Sequence, residues 1–181
     1  MHEGDDGITY SFSVCKHCKN SCCQDAKPPL SEKRKKIIKE YLEKHEINIQ
    51  KPFDKADYSY PAVDEFLFCS FFDKKTRKCT VHPVKPETCV AGPVTFDINL
   101  STRKLEWFLK KSEICTFAPI LYSNKAAFKK HFEIAKKQLT RLICELNPEE
   151  LSAILKIEEP QTFKIGEDDL PSEVIKKLGL K

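Results

Sequence analysis

The sequence has few glycines, few arginines and no long hydrophobic run. Its 181 residues include five glycines, and these do not form a glycine-rich phosphate-binding loop. No segment approaches the roughly 18 consecutive apolar residues of a membrane-spanning helix. The acidic first six residues are not followed by an apolar segment, so they do not have the pattern of a secretory signal. We therefore expect a cytoplasmic protein.

The charge pattern argues against a nucleic-acid-binding surface. The chain has 31 basic and 27 acidic residues, and its net charge is only +4 because the two signs are interspersed. Such mixing is typical of solvated faces. Lysine far outnumbers arginine, the residue that reads phosphate and guanine through two parallel hydrogen bonds. We expect neither nucleic acid nor a membrane as a partner.

Cysteine, in contrast, is abundant. There are nine cysteines, and four of them lie within residues 15–23. Thiols stay reduced in the cytoplasm, where a dense cysteine pattern indicates metal binding or catalysis more often than disulfides. We predict that eight of the nine converge in space on metal. These candidate ligands are Cys15, Cys18, Cys22, Cys23, Cys69, Cys79, Cys89 and Cys115.

The spacing of the first four cysteines suggests how they bind. Cys15 and Cys18 form a Cys-x2-Cys pair, whose two thiolates can reach one metal ion. Cys22 and Cys23 are adjacent, and neighbouring side chains diverge. We therefore expect them to serve two centres, or one of them to lie in the hydrogen-bonded surroundings of a cluster. Eight thiols divide into two sites of four, but the sequence leaves the division open.

Sulfur ligands suit both iron–sulfur clusters and zinc. The downstream cysteines are widely separated and do not form the second close pair of a zinc ribbon, so we favour an iron–sulfur cluster, with zinc as the alternative. His17, or His82 three residues after Cys79, could complete a mixed site, but enough cysteines are present for both to have ordinary loop and packing roles. Cys144 lies in a predicted helix, where a single cysteine usually serves as a small apolar residue.

A helix is predicted directly after the first cysteine cluster. Ser31 is a suitable N-cap, and the apolar positions that follow have helical spacing as far as about His45. The basic residues of this segment are expected on its solvent-exposed side. They are Lys33, Arg34, Lys35, Lys36 and Lys39.

The next segments are predicted to deliver the downstream cysteines. Residues 46–65 have the pattern of an irregular connection. Residues 66–72 are apolar and aromatic, which predicts a strand that carries Cys69 from inside the core. A polar turn follows, and we expect a hairpin that places Cys69 beside Cys79.

The C-terminal half contains the clearest periodic patterns. Residues 94–98 and 105–109 alternate, which predicts an antiparallel strand pair leading to Cys115. Asn124 or the residue before it can cap a long helix over residues 125–146, with an apolar stripe that packs on the core. The tail contains two short helical candidates, 148–156 and 171–178.

Together these patterns predict an α+β fold. A small cysteine-rich metal-binding core, built from an antiparallel hairpin and loops, is buttressed by an N-terminal helix and a long C-terminal helix. The expected units are a flexible lead-in (1–11), the cysteine-cluster domain (12–118), the packing helix (119–146) and a helical tail (147–181).

The order of the cysteines resembles that of the YkgJ-type cysteine-cluster family. The similarity extends over about residues 12–118, through Cys-x2-Cys-x3-Cys-Cys, Cys69-Ser70-Phe71-Phe72, the segment 79–89 and Cys115. It implies a zinc- or iron-chelating domain in which the eight cysteines named above are the metal-site candidates. The chain departs from the commonest family pattern by one extra residue before Cys22, and by His82 and Lys85 where an aromatic residue and arginine are frequent. The family includes a flagellin lysine N-methylase branch, whose longer spacing is similar.

Two main functions follow from these observations. The first is a metal-binding module that carries electrons, delivers metal or docks on a protein partner. The second, implied by the resemblance, is an S-adenosylmethionine-dependent lysine N-methyltransferase acting on a protein substrate. Against the second, the cysteine spacings run in the reverse order of the usual radical-enzyme signature, and no glycine-rich nucleotide loop is present. A zinc-stabilised adaptor is a third possibility, disfavoured by the interspersed acidic residues.

Overall fold

The computed structural model describes residues 22–159 and 161–180. The helices in these residues are α1 (Glu32–Lys44), α2 (Glu87–Ala91), α3 (Phe117–Ser123), α4 (Lys125–Glu145), α5 (Pro148–Ile154) and α6 (Ser172–Lys177), with a 3-10 turn at His82–Val84. The strands are β1 (Phe53–Lys55), β2 (Ser59–Pro61), β3 (Phe72–Asp73), β4 (Lys78–Cys79), β5 (Val94–Asn99), β6 (Lys104–Lys110) and β7 (Thr162–Asp169). The predicted lead-in, Cys15, His17 and Cys18 lie outside the described residues.

The predicted α+β fold class is confirmed, and its largest sheet has the antiparallel order β5-β6-β7. The predicted pair forms with Phe96 opposite Trp107. Alternate residues of β6 are buried, as a strand with one core face requires. β7 was not predicted, and it pairs with the other edge of β6, where Trp107 Nε1 donates to Asp168 Oδ2 at 2.7 Å.

The long helix α4 packs on this sheet, as predicted. The Asn124 side chain accepts from the Ala127 backbone N–H and satisfies one of the amides that a helix N-terminus leaves without an intrahelical partner. The two predicted tail helices are present as α5 and α6. Together the sheet and these three helices bury what we call the C-terminal core, whose fully buried members include Trp107, Leu139, Leu142, Ile143, Leu146 and Leu151.

A second, smaller hydrophobic cluster surrounds α1. We call it the N-terminal core, and its buried members are Leu30, Ile38, Leu42, Phe71 and Val81. The helix begins as predicted, because the Ser31 side chain accepts from the Arg34 backbone N–H at 3.1 Å. The prediction that Arg34 faces solvent is wrong. Its side chain is buried against α2 and α4, in contacts described below.

The connection before the hairpin differs from the prediction in two ways. Within residues 46–65, β1 and β2 form a short antiparallel pair. The predicted strand over residues 66–72 is mostly wrong, because β3 begins only at its last residue. Asp64 Oδ1 instead accepts from the backbone N–H groups of Phe66 and Phe68, each at 2.9 Å, and folds the segment into a turn that leaves Phe66 60% exposed.

Among the described residues, no helix is long and apolar enough to cross a membrane.

Candidate metal centre

The β3–β4 hairpin brings two candidate ligands to the edge of the N-terminal core. The hairpin was predicted, but its register differs from the prediction. Cys79 pairs with Phe72, while Cys69 precedes the paired residues and forms an isolated bridge with Val63. Both cysteines pack, half-buried, against the N-terminal core. The hydrophobic cluster thus fixes the base of each side chain.

The backbone of the hairpin points amides at both sulfur atoms. Burial raises the pKa of the Cys69 thiol to about 11, and the Phe71 backbone N–H opposes this rise by hydrogen bonding to the sulfur. Burial likewise raises the pKa of Cys79, against a hydrogen bond from the Val81 N–H. In both cases the donor lies two residues after the cysteine. Hydrogen bonds of this kind stabilise the charged form of a thiol, which is the form that binds metal.

Cys22 and Cys23 dock onto this hairpin through the backbone. The Cys69 N–H donates to the Cys23 carbonyl oxygen at 2.8 Å. A hydrogen bond from the Cys23 thiol lowers the pKa of Cys22 to about 6. The same hydrogen bond, together with burial, raises the pKa of Cys23.

Cys89 lies in the one-turn helix α2. Cys89 is exposed to solvent, and desolvation by the surrounding protein raises the pKa of its thiol to about 12. Lys85 lies just before α2, and its positive charge opposes this rise. The same charge also acts to lower the pKa of Cys22 and of Cys79. One ammonium group therefore favours the thiolate form of three candidate ligands.

Five candidate ligands thus share one electrostatic neighbourhood. The charge of Cys22 raises the pKa of Cys69, Cys79 and Cys89. The pKa of Cys23 is raised in turn by the charges of Cys22, Cys69 and Cys89. Across residues 22–159 and 161–180, however, no three cysteine, histidine or acidic side chains are close enough together to enclose one ion. The predicted ligand set as a whole stays a prediction, since two of its members lie outside these residues.

The chemistry of the five thiols fits a soft metal. They are sulfur donors, and two of them accept backbone hydrogen bonds of the type that tunes iron–sulfur and zinc thiolate sites. Thiolate ligands select zinc or iron–sulfur clusters over hard cations. The arrangement therefore suits the predicted metals and does not distinguish between them.

The remaining predicted residues lie on other elements. Cys115 follows the sheet, where its N–H donates to the Lys111 carbonyl oxygen at 2.9 Å, and it packs half-buried against the C-terminal core. Cys144 lies half-buried in α4 beside that core, as predicted for an apolar role. Burial and the charge of Lys85 lower the pKa of His82 to about 4, so its ring is neutral at pH 7.

Two buried residues, one in α2 and one in contact with its end, were not among the predicted site residues. Glu87, two residues before Cys89, is a buried carboxylate paired with Arg34. His131 in α4 is buried, and its Nε2 lies 2.9 Å from the Ala91 carbonyl oxygen, at the end of α2. A possible sequence signal for Glu87 is its position beside a candidate ligand, but its partner is 53 residues away.

Comparison with known protein families identifies the cysteine-rich segment. Residues 14–119 match the CxxCxxCC family, described as a zinc- or iron-chelating domain. No curated protein and no solved structure matches the chain. The family segment runs from just before Cys15 to just after Cys115, and it covers more than half of the sequence. The metal-chelating resemblance found in the cysteine pattern is thereby confirmed, and the chain belongs to the CxxCxxCC family of zinc- or iron-chelating domains.

Proposed function

We propose that the protein is a cytoplasmic metal-binding module that holds an iron–sulfur cluster, or alternatively zinc, through clustered cysteines. The observation that carries the proposal is the match of residues 14–119 to a zinc- or iron-chelating domain, and it is supported by the electrostatic coupling of thiols from three separate segments. Cys22 and Cys23 come from the N-terminal segment, Cys69 and Cys79 from the hairpin, and Cys89 from α2. Cys15, Cys18 and Cys115 complete the proposed set.

The backbone and Lys85 have defined roles in this proposal. The Phe71 and Val81 amides orient the sulfur atoms of Cys69 and Cys79 and compensate part of their negative charge. Lys85 offsets the charge of a site made entirely of thiolates. A bound cluster would supply one-electron chemistry, whereas zinc would supply structural cross-linking.

The accompanying role is proposed as electron transfer, metal delivery or docking on a protein partner. Support comes from the position of the thiols at the protein surface, where Cys22 and Cys89 are exposed. A centre near the surface can exchange an electron or an ion with another protein more readily than a deeply buried one.

Metal and acid-labile sulfide analysis of protein purified without oxygen tests the proposal. We expect stoichiometric iron and sulfide, or stoichiometric zinc, and a large loss of metal in Cys69→Ser and Cys79→Ser variants. Cys144→Ser is the matched control, because this half-buried cysteine packs on the C-terminal core, and it should keep its metal. Wild-type protein without bound metal would refute the proposal.

The methyltransferase is retained as an alternative on one observation, the Cys-x3-Cys-Cys spacing that resembles the methylase branch. On this alternative the proposed cluster would act with S-adenosylmethionine on lysine side chains of a protein substrate. Calorimetry of the metal-loaded protein with S-adenosylmethionine separates the two functions. Heat of binding would favour the enzyme, and its absence would favour the module.

A further inference from the structure

A buried ion pair lies directly behind Cys89. Glu87 is the first residue of α2, and its side chain is 1% exposed. Its Oε1 accepts a hydrogen bond from Arg34 Nε at 2.9 Å, and Arg141 Nη2 lies 3.9 Å from the same atom. Burial of these charges is costly, and an apolar pair of similar size is often equally stable. The ion pair therefore invites an explanation other than stability.

The same guanidinium group joins three parts of the fold. Arg34 Nη2 donates to Gln138 Oε1 in α4 at 3.2 Å, and its Nη1 lies 3.5 Å from the Val84 carbonyl oxygen, in the turn that precedes α2. Arg141 also donates to Gln138 Oε1. Helices α1 and α4 are thus connected, through one residue, to the chain segment between Cys79 and Cys89.

Helix α2 depends on such contacts for its orientation. It has only five residues, and its N-cap, Pro86, provides no side-chain hydrogen bond. A single helical turn is unstable without tertiary support. Support comes at both ends, because Glu87 pairs with Arg34 in the first turn and the Ala91 carbonyl oxygen contacts His131. Glu87 and Ala91 are four residues apart and share the buried face, so Cys89, midway between them, is turned to the opposite, exposed side.

We propose that Glu87, held by Arg34, is a positioning residue for the proposed metal site, because it fixes the rotation of α2 that presents Cys89 on the exposed side of this helix. This inference rests on the proposed metal-binding function. It assigns the ion pair a role in ligand geometry, and Glu87 itself does not contact the metal.

The test compares Glu87→Gln with a matched control, Glu145→Gln. Glu145 also connects α1 to α4, because its Oε2 accepts from Ser31 Oγ at 2.6 Å and its Oε1 lies 3.7 Å from Lys33 Nζ, but these contacts do not include α2. Metal-free full-length protein is titrated with Co²⁺, whose sulfur-to-metal absorption reports the number of thiolate ligands. Competition with a chelator then gives the affinity for Zn²⁺.

We expect Glu87→Gln to weaken Zn²⁺ binding by about 10-fold to 100-fold, the range found when partners of metal ligands are removed. The cobalt–thiolate absorption should fall in the same variant, because Cys89 is lost from a fraction of the sites. Glu145→Gln should match the wild type in both measurements. Wild-type absorption and affinity in Glu87→Gln, or an equal loss in both variants, would overturn the inference.

Two further measurements keep this test decisive. Failure of the wild type to bind either ion, together with the absence of iron and sulfide from protein purified without oxygen, would refute the proposed function independently of Glu87. If Glu87→Gln does not fold, as judged by circular dichroism, Arg34→Lys replaces it, because lysine keeps the charge but cannot reach Glu87, Val84 and Gln138 together. Reduced cobalt–thiolate absorption in folded Arg34→Lys supports the inference, and unchanged absorption overturns it.

Discussion

Removal of metal is predicted to detach the segment that carries Cys22 and Cys23. This segment, residues 22–25, has three hydrogen bonds to the rest of the described chain. They are Cys69 N–H to Cys23 O at 2.8 Å, Asp25 N–H to Leu67 O at 2.8 Å, and Gln24 Nε2 to Phe66 O at 3.3 Å. The side chains of Cys22, Gln24 and Asp25 are exposed, so apolar burial adds little.

The magnitudes decide the outcome. Three hydrogen bonds contribute about 2 to 4 kcal/mol in total. Ordering the backbone of four residues costs about 4 to 8 kcal/mol, so the hydrogen bonds do not offset the lost entropy. A metal ion shared with the hairpin thiols would reverse this balance, since structural zinc sites contribute about 10 to 16 kcal/mol. The segment should be docked when metal is bound and detached when it is removed.

Amide hydrogen exchange measures this directly. We expect the Asp25 and Cys69 amides to lose at least about tenfold in protection after chelator treatment, equivalent to about 1.4 kcal/mol. The Thr80 amide, which bonds to Phe71 O at 2.8 Å within the hairpin, and the amides of α4 serve as internal controls that should change much less. Equal protection of Asp25 and Cys69 with and without metal would refute the reasoning.

Two other predictions concern α4. Burial lowers the pKa of His131, so the unfolded chain takes up a proton before the folded chain as the pH falls below about 6.5, and stability is lost in that range. His131→Gln should therefore lose less stability than the wild type between about pH 7 and pH 5 in urea unfolding, and an identical loss would contradict this account. Leu139 is 1% exposed, so Leu139→Ala should lower the free energy of unfolding by about 2 to 5 kcal/mol. Lys137 is exposed on the same helix, and Lys137→Ala should change the free energy of unfolding by less than about 0.5 kcal/mol. A similarly small effect of Leu139→Ala would show that the helix is not anchored at this position.

The elements that were predicted correctly have strong local signals. Ser31 and Asn124 cap α1 and α4 as expected, because capping requires only a side chain and an amide three residues later. The β5–β6 pair combines two alternating segments with a short turn. Neighbouring residues determine these features, so the sequence alone suffices to predict them.

The elements that were missed depend on distant partners. Residues 162–169 form the strand β7 by pairing with the free edge of β6, which lies some 60 residues earlier in the chain. The apolar residues 66–71 have the composition of a strand, but Asp64 binds two of their amides and forms a turn. Arg34 belongs to a basic run typical of a solvated face, and only the fold brings Glu87 to it.

The candidate site shows the same division. The sequence predicts which residue type binds metal, because thiols at these spacings have few other uses in a reducing environment. The sequence also predicts that Cys22, Cys69, Cys79 and Cys89 converge, but it leaves open how they divide between sites, since they come from three segments. The register of the hairpin, which pairs Cys79 with Phe72, was also not predicted from the sequence, because it depends on the geometry of the turn.

Because β7 lies near the C-terminal end of the described residues, it determines how long a recombinant polypeptide must be in order to fold. The family segment ends at residue 119, whereas β7 begins at Thr162 and α4 at Lys125. A recombinant fragment trimmed to the family boundary would leave one side of β6 with unsatisfied amides and carbonyls and would uncover Trp107, a combination that promotes aggregation. Expression trials of this domain should therefore retain the full C-terminal region.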